Sequence, residues 1–291
     1  MPGANASPLL LYICYECSII LLNMSILGFR EIQRGLRDLG LTPQSRVLAL
    51  VSLPALGPVR GGAEAVAGAL TAQCGLVLSP AFTYQCQVFP QVGPPDNALV
   101  YGDHMDENAN AEIFRADLHV HPDVGPVADV FLTHPKAKRS SHPLLSFTAV
   151  GQGAAQVLKA QSLAEPFGPI ARLADDGGEV LLLGLTHTAD VAIHYAEYRA
   201  NRKQFIRWAL TAGGVVECVG FPGCSQGFDA VATRLRAATQ ISQIGDACAQ
   251  RILLKDLLQA AADMLQADPL ALLCHDPACP WCSAVRAANP S

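Results

Sequence analysis

The chain is poor in charge, in aromatic rings and in basic residues. Of 291 residues, 15% are Asp, Glu, Lys or Arg and 6% are Phe, Trp or Tyr. Lys and Arg number 20 against 25 acidic residues, a formal net charge of −5. Without a dominant basic character, nucleic acid is excluded as the main partner. An acidic balance suits a cationic or neutral small ligand. There is no internal repeat and no low-complexity tract, so repeat arrays and biased disordered chains are set aside. The N-terminal run PLLLYICYECSIILLNMSILG has no basic residue before it and carries Glu16 near its middle. It therefore lacks the pattern of a secretory leader. Its length matches a membrane span. One reading makes residues 1–23 a non-native or disordered extension ahead of a domain that begins near Met24; the other makes residues 8–28 a membrane anchor.

What is present is apolar. Hydrophobic residues make up 51% of the chain, with 24 Gly and 20 Pro, enough to build a large core punctuated by turns. The ten cysteines lack a secretory context, which points to a reducing compartment, the cytoplasm.

Apolar periodicity gives the coarse organisation. Residues 27–40 read as a helix stopped at Gly40. RVLALVSL (46–53) reads as a buried strand. The loop PALGPVRGG leads to the helix AEAVAGALTAQ (63–73), and GLVLSPAF (75–82) is the next strand. Residues 84–126 are rich in Pro, Asp and Asn and irregular, a length usually tied to function. PVADVFLTH reads as a short helix, SFTAVG (146–151) as a strand and GQGAAQVLKAQSL as a helix. EVLLLGL (179–185) reads as a strand and 190–200 as a helix. RKQFIRWAL and VVECVGF suggest a strand pair late in the sheet, and 229–265 reads as mostly helical. The fold class is α/β: three layers, αβα, around a mixed, largely parallel sheet. Residues 24–265 form this domain, and 266–291 a small Cys-rich C-terminal segment packed on it.

Four stretches carry possible chemistry. In HTADVAIHYAE (187–197), Asp190 is a natural helix N-cap. Asp190, His194 and Glu197 fall on one helix face, just after a strand end where open α/β sheets place ligands. The plain alternative is a cap, a boundary histidine and a solvated carboxylate. In RSSHPLLSF (139–147), His142 precedes Pro and sits ahead of a strand, a loop histidine or a general base. DLHVHP (117–122) resembles a metallohydrolase's first metal motif in Asp117, His119 and His121, but lacks the usual apolar strand before it. CHDPACPWC places Cys274, Cys279 and Cys282 at Cys-x4-Cys and Cys-x2-Cys spacing, and Cys224 in CVGFPGC offers a fourth thiolate. Four thiolates make a closed, structural zinc site with no position left for substrate. Free thiols are the alternative.

Taken in order, four blocks resemble the aminoglycoside 3-N-acetyltransferase family, the antibiotic acetyltransferase fold. They are LGLTPQSRVLALVSLPALGPVRGGAEAVAGAL, GLVLSPAFTYQ, RSSHPLLSFTAVG and EVLLLGLTHTADVAIHYAEYRA, spanning roughly residues 30–210. The resemblance implies acetyl transfer from acetyl-CoA to the 3-amino group of a 2-deoxystreptamine aminoglycoside. It implies His142 as the catalytic base with Glu197 as its carboxylate partner. Ser52, Gly61, Gly62 and Thr83 would meet the cofactor. Asp190 and His194 would meet a cationic amine, helped by the acidic loop DHMDENANAE. The sequence departs from the family's pattern where a His-Ser-Ser-Leu run is replaced by Leu50-Val51-Ser52-Leu53, and where an Asn-Thr helix start is replaced by Asp190-Val191. These departures keep two other readings open: an acyltransferase for a biosynthetic amine, and a binding module that has lost catalysis.

Overall fold

A computed structural model describes residues 26–289. All but the last three residues of the apolar N-terminal run, and with them the choice between extension and membrane anchor, lie outside the described residues. Among the described residues no helix is long and apolar enough to cross a membrane.

The first half alternates as expected. Helix α1 (Phe29–Asp38) precedes β1 (Arg46–Val51), α2 (Gly62–Gln73) and β2 (Leu76–Pro80). A two-residue strand, β3 (Gln87–Val88), opens the irregular segment. It is followed by α3 (Pro126–Thr133), β4 (Lys138–Arg139), β5 (Phe147–Gly151) and α4 (Ala154–Leu158). Then come α5 (Gly168–Asp175), β6 (Glu179–Leu183), α6 (Val191–Arg199), β7 (Phe205–Thr211) and β8 (Gly214–Phe221). The chain ends with α7 (Ala232–Leu235), β9 (Gln240–Ile244), β10 (Ala247–Leu253), α8 (Leu254–Ala267) and α9 (Pro280–Ala288).

The main sheet has seven strands in the order β4-β5-β2-β1-β6-β10-β9. Its parallel part is the central trio β2-β1-β6, and the flanking strands pair antiparallel. Side chains of the central strands alternate between two cores. Val47, Ala49, Leu181 and Leu183 pack with α1, α2 and α3. Leu48, Leu50, Val180 and Leu182 pack with α4, α5, α6 and α8. Burial on both faces is why these strands read as continuous apolar runs rather than alternating ones. Each such Leu or Val contributes about 1.5–3 kcal/mol by leaving water. This is the three-layer αβα arrangement expected from the sequence, but the sheet is not largely parallel: two of its six strand pairings are parallel and four are antiparallel.

Two expectations are corrected. Residues 240–253 are a hairpin, not helix, and only α8 within 229–265 is long. The turn is made at Gly245, whose φ of 60° favours glycine and whose space for a Cβ is closed by the Leu56 carbonyl. The pair 205–221 is indeed two antiparallel strands, but β7 and β8 join β3 in a separate three-stranded sheet. A register shift between Phe205 and Arg207 interrupts that pairing, and Gly220 opposite has a φ of 68°. Such a bulge re-aims side chains. Here Phe205, Arg207 and Ala209 all stay buried.

Candidate functional site

The three parallel strands end on one side of the sheet, and a crevice opens there. Val51 ends β1 and Ser52 and Leu53 follow it, Phe82 follows β2, and Thr188 follows β6. These residues line a cavity of about 750 Å³ whose far wall is the segment Pro122–Pro126. A second cavity of about 560 Å³ adjoins it, sharing Phe82, Tyr84, Thr188, Ala189, Val191 and Ser225. The second wall also carries the charged or titratable side chains of Asp190, His194 and Arg207.

Helix α6 positions the reactive groups. Asp190 caps it: one carboxylate oxygen accepts from the Ala192 backbone N–H at 3.1 Å. The other lies 3.2 Å from Nδ1 of His187, which is buried. One turn further, His194 Nδ1 is 2.8 Å from Oε2 of Glu197. The second Glu197 oxygen accepts from Arg202 at 2.7 Å. Arg202 continues to the carbonyls of Pro269 and Ala271, tying the end of α6 to the chain ahead of the cysteines. The rings of Phe167 and Phe228 flank the His194 imidazole, with centroids at 6.3 and 4.8 Å. Glu197 therefore fixes the tautomer with the proton on Nδ1, leaving the Nε2 lone pair free.

His142 is placed differently. Its Nδ1 accepts from the backbone N–H groups of Leu144 and Leu145, at 3.2 and 3.0 Å. The ring proton must then sit on Nε2, which is buried without a partner among the described residues. Burial pushes its pKa down to about 4. His142 holds the turn Pro143–Leu145, and it lines neither cavity. The pairing of His142 with Glu197 that the resemblance implied is not formed. The carboxylate belongs to His194 and Arg202, because a helix brings residues three apart together whereas the His142 turn faces inward.

The other expected residues divide. Ser52 lines the first cavity. Thr83 is fully buried, and its hydroxyl donates to the Pro143 carbonyl at 2.7 Å, so it braces the His142 turn instead of facing a ligand. Gly61 and Gly62 form the left-handed start of α2 and line neither cavity. In the acidic loop, Glu107 pairs with His104 and Asn108 fastens the turn to Phe89. The Asp117–His121 motif does not gather into a ligand set. Asp117 pairs with Arg115, His119 with Asp129, and His121 faces Asp123. Sequence reasoning missed Tyr84, Arg202, Arg207 and Trp281. Only the last carries a signal, an aromatic residue inside the Cys-x2-Cys turn.

Among the described residues, one group has the makings of a metal site: Cys224, Cys274, Cys279 and Cys282, whose sulfurs all lie within 4.8 Å of one another. Zinc–sulfur bonds of about 2.3 Å in a tetrahedron require sulfurs about 3.8 Å apart. The Cys274 and Cys282 sulfurs stand at 3.4 Å, close to that spacing. All four donors are thiols, with Cys274 and Cys282 buried, which fits a structural zinc ion. Between Cys279 and Cys282, Trp281 packs on Phe205 at 4.7 Å and reaches the second cavity.

The crevice is an α/β ligand site of the kind found at the ends of parallel strands, with an oriented histidine on its wall. The chain belongs to the aminoglycoside 3-N-acetyltransferase family, whose model matches residues 48–266. It is an acetyltransferase. It is 30% identical over 238 residues to aminoglycoside N(3)-acetyltransferase III of Serratia marcescens, covering 73% of this chain and 86% of that protein. A prophage-derived aminoglycoside N(3′)-acetyltransferase-like protein of Bacillus subtilis, YokD, is 29% identical over 183 residues, 61% of this chain and 67% of that protein. Among solved structures, the apoenzyme of aminoglycoside acetyltransferase AAC(3)-IVa superposes with a TM-score of 0.75 at 27% identity, covering 91% of this chain and 99% of that one. A mutant of the same enzyme in complex with a gentamicin gives 0.73 at 26% identity, over 90% and 98%.

Proposed function

We propose that this protein transfers the acetyl group of acetyl-CoA directly to an amine of an aminoglycoside, the 3-amino group of its 2-deoxystreptamine ring, with His194 as general base. The single observation that carries the mechanism is the 2.8 Å contact between His194 Nδ1 and Glu197 on the wall of the second cavity. The acceptor amine enters that cavity as a neutral amine or loses a proton to solvent. Its nitrogen attacks the thioester carbonyl carbon and the C–O π bond opens. His194 Nε2 takes the N–H proton as the new C–N bond forms, and Glu197 supports the imidazolium. When the oxyanion collapses, the C–S bond breaks and the thiolate of CoA leaves, to be protonated from His194 or water. General-base assistance of this kind contributes about 100- to 10,000-fold in rate.

The first cavity is the place for the acyl donor, with Ser52 on its wall. Val51 and Leu53 beside it are apolar, so backbone groups and Ser52 supply the polar contacts that the family's richer hydroxyl run would give. Acetyl transfer to an aminoglycoside is supported by the names of the relatives and by the complex of a structural neighbour with a gentamicin. The test is release of CoA thiol from acetyl-CoA across an aminoglycoside panel, with the acetylated nitrogen assigned by NMR. Turnover on the 3-amino group is expected. A protein that binds CoA by calorimetry yet releases none with any amine contradicts the reading.

Zinc on the four cysteines completes the proposal. Bound zinc would hold α9 and Trp281 against the second cavity. Chelation, or Cys279→Ser with Cys282→Ser, is expected to release one zinc per chain by atomic absorption. It should also lower Tm by roughly 5–10 °C, each kcal/mol being worth about 2–4 °C at this size. A purified protein without zinc, or a Tm indifferent to its removal, would rule the metal out.

A further inference from the structure

Three side chains that line both the donor and the acceptor cavity carry hydroxyls: Tyr84, Thr188 and Ser225. The Thr188 hydroxyl is spent on that of Thr186, at 2.9 Å. Ser225 is half-buried, between Cys224 and the exposed Gln226. Tyr84 alone of the three also borders a further cavity of about 370 Å³, so it stands where all three spaces meet. Its hydroxyl has no hydrogen-bond partner among the described residues.

The residue is held firmly. It opens the short turn Tyr84–Cys86 just past β2. The preceding Thr83 is fastened twice to the turn after His142: its N–H donates to the Leu144 carbonyl at 3.0 Å and its hydroxyl to the Pro143 carbonyl at 2.7 Å. The Tyr84 ring packs among those of Phe82, His121 and Phe221, with centroids at 5.9, 5.3 and 6.3 Å. Burial pushes the phenol's pKa up, and the negative charge of Asp123, on the wall of the first cavity, adds to the shift. The phenol therefore keeps its proton and remains a donor.

A buried Tyr hydroxyl usually finds a partner. Acetyl transfer supplies one, because attack on the thioester puts negative charge on its carbonyl oxygen. The apolar Val51 and Leu53 offer no side-chain donor to that oxygen. We infer that Tyr84 is a catalytic residue, the hydroxyl that stabilises the oxyanion where the two cavities meet. This deepens the proposed function and rests on its assignment of the cavities to donor and acceptor. As the amine lone pair forms the C–N bond, the carbonyl π pair moves onto oxygen. The Tyr84 O–H donates to that oxygen and keeps its proton. When the pair returns, the C–S bond breaks and the hydrogen bond weakens. A fixed donor in a site shielded from water is worth more here than in solution, since it needs no reorganisation.

Tyr84→Phe removes one oxygen and keeps the ring, so the packing stays. It is expected to lower kcat by about 100- to 1,000-fold, the scale of one lost oxyanion donor. Calorimetric affinities for CoA and for an aminoglycoside should stay within about threefold, because the ground state loses a single neutral hydrogen bond. The second readout needs no turnover: isotope-edited infrared of acetyl-CoA labelled at the acetyl carbonyl carbon, bound without acceptor. The wild type and His194→Asn should both show the carbonyl stretch moved to lower frequency than in Tyr84→Phe. A Tyr84→Phe enzyme within threefold of wild-type kcat overturns the inference. So does a carbonyl stretch that Tyr84→Phe leaves unchanged, or one that responds to Ser225→Ala instead. Failure of acetyl transfer with every amine would count against the proposed function and leave the carbonyl stretch readable, whereas a wild type that does not bind acetyl-CoA overturns both.

Discussion

His194→Asn is expected to lower kcat by about 100- to 10,000-fold with little change in KM for acetyl-CoA. Asn keeps much of the shape and one hydrogen-bonding end but cannot take a proton from the attacking amine. Glu197→Gln should cost less, because a neutral amide still accepts from Nδ1–H but no longer stabilises the imidazolium. The two losses should not add, since both act on one proton transfer. Steady-state CoA release, with circular dichroism to confirm folding, reads both single variants and their combination. A His194→Asn enzyme within threefold of wild type would remove the base from this helix.

Arg202→Met should be among the most destabilising single changes in the chain. Both partners of the Arg202–Glu197 pair are buried, each side chain only 4% exposed. Deleting the guanidinium strands a carboxylate that His194 alone must support, and frees the carbonyls of Pro269 and Ala271. Breaking a buried pair on one side costs about 3–5 kcal/mol, a fall in Tm of about 10 °C for a domain of this size. Adding Glu197→Gln to Arg202→Met should recover part of that stability by removing the orphaned charge. If the double variant is less stable than Arg202→Met alone, the pair is not what holds α6 to the C-terminal segment.

The layered fold is legible in the sequence because its central strands are buried on both faces. RVLALV and EVLLL have no other place to go than the middle of a covered sheet. The hairpin at 240–253 is not legible, because QISQI is an edge strand with most of its residues exposed, and its polar pattern passes for a helix face. The strands within 205–221 can be recognised, but alternation shows a strand without showing which sheet it joins. At the site, the His194–Glu197 spacing is visible in the sequence. The resemblance moves the chemistry to His142, because it gives the order of blocks and not the contacts between them. Only the backbone N–H groups of Leu144 and Leu145 show that His142 already has its acceptor nitrogen occupied. Arg202 and Arg207 carry no local pattern: each matters through partners brought together by folding, at Pro269 and Ala271 and at Trp281.

The most direct test of the account is His142→Asn assayed beside His194→Asn under one set of conditions, per mole of folded protein. With His194 as the base, His142→Asn should keep kcat within a few-fold of wild type, its cost appearing as lower stability of the turn before β5. His194→Asn should lose at least two orders of magnitude. The reverse order, a large loss at His142 with His194 dispensable, would contradict the central claim.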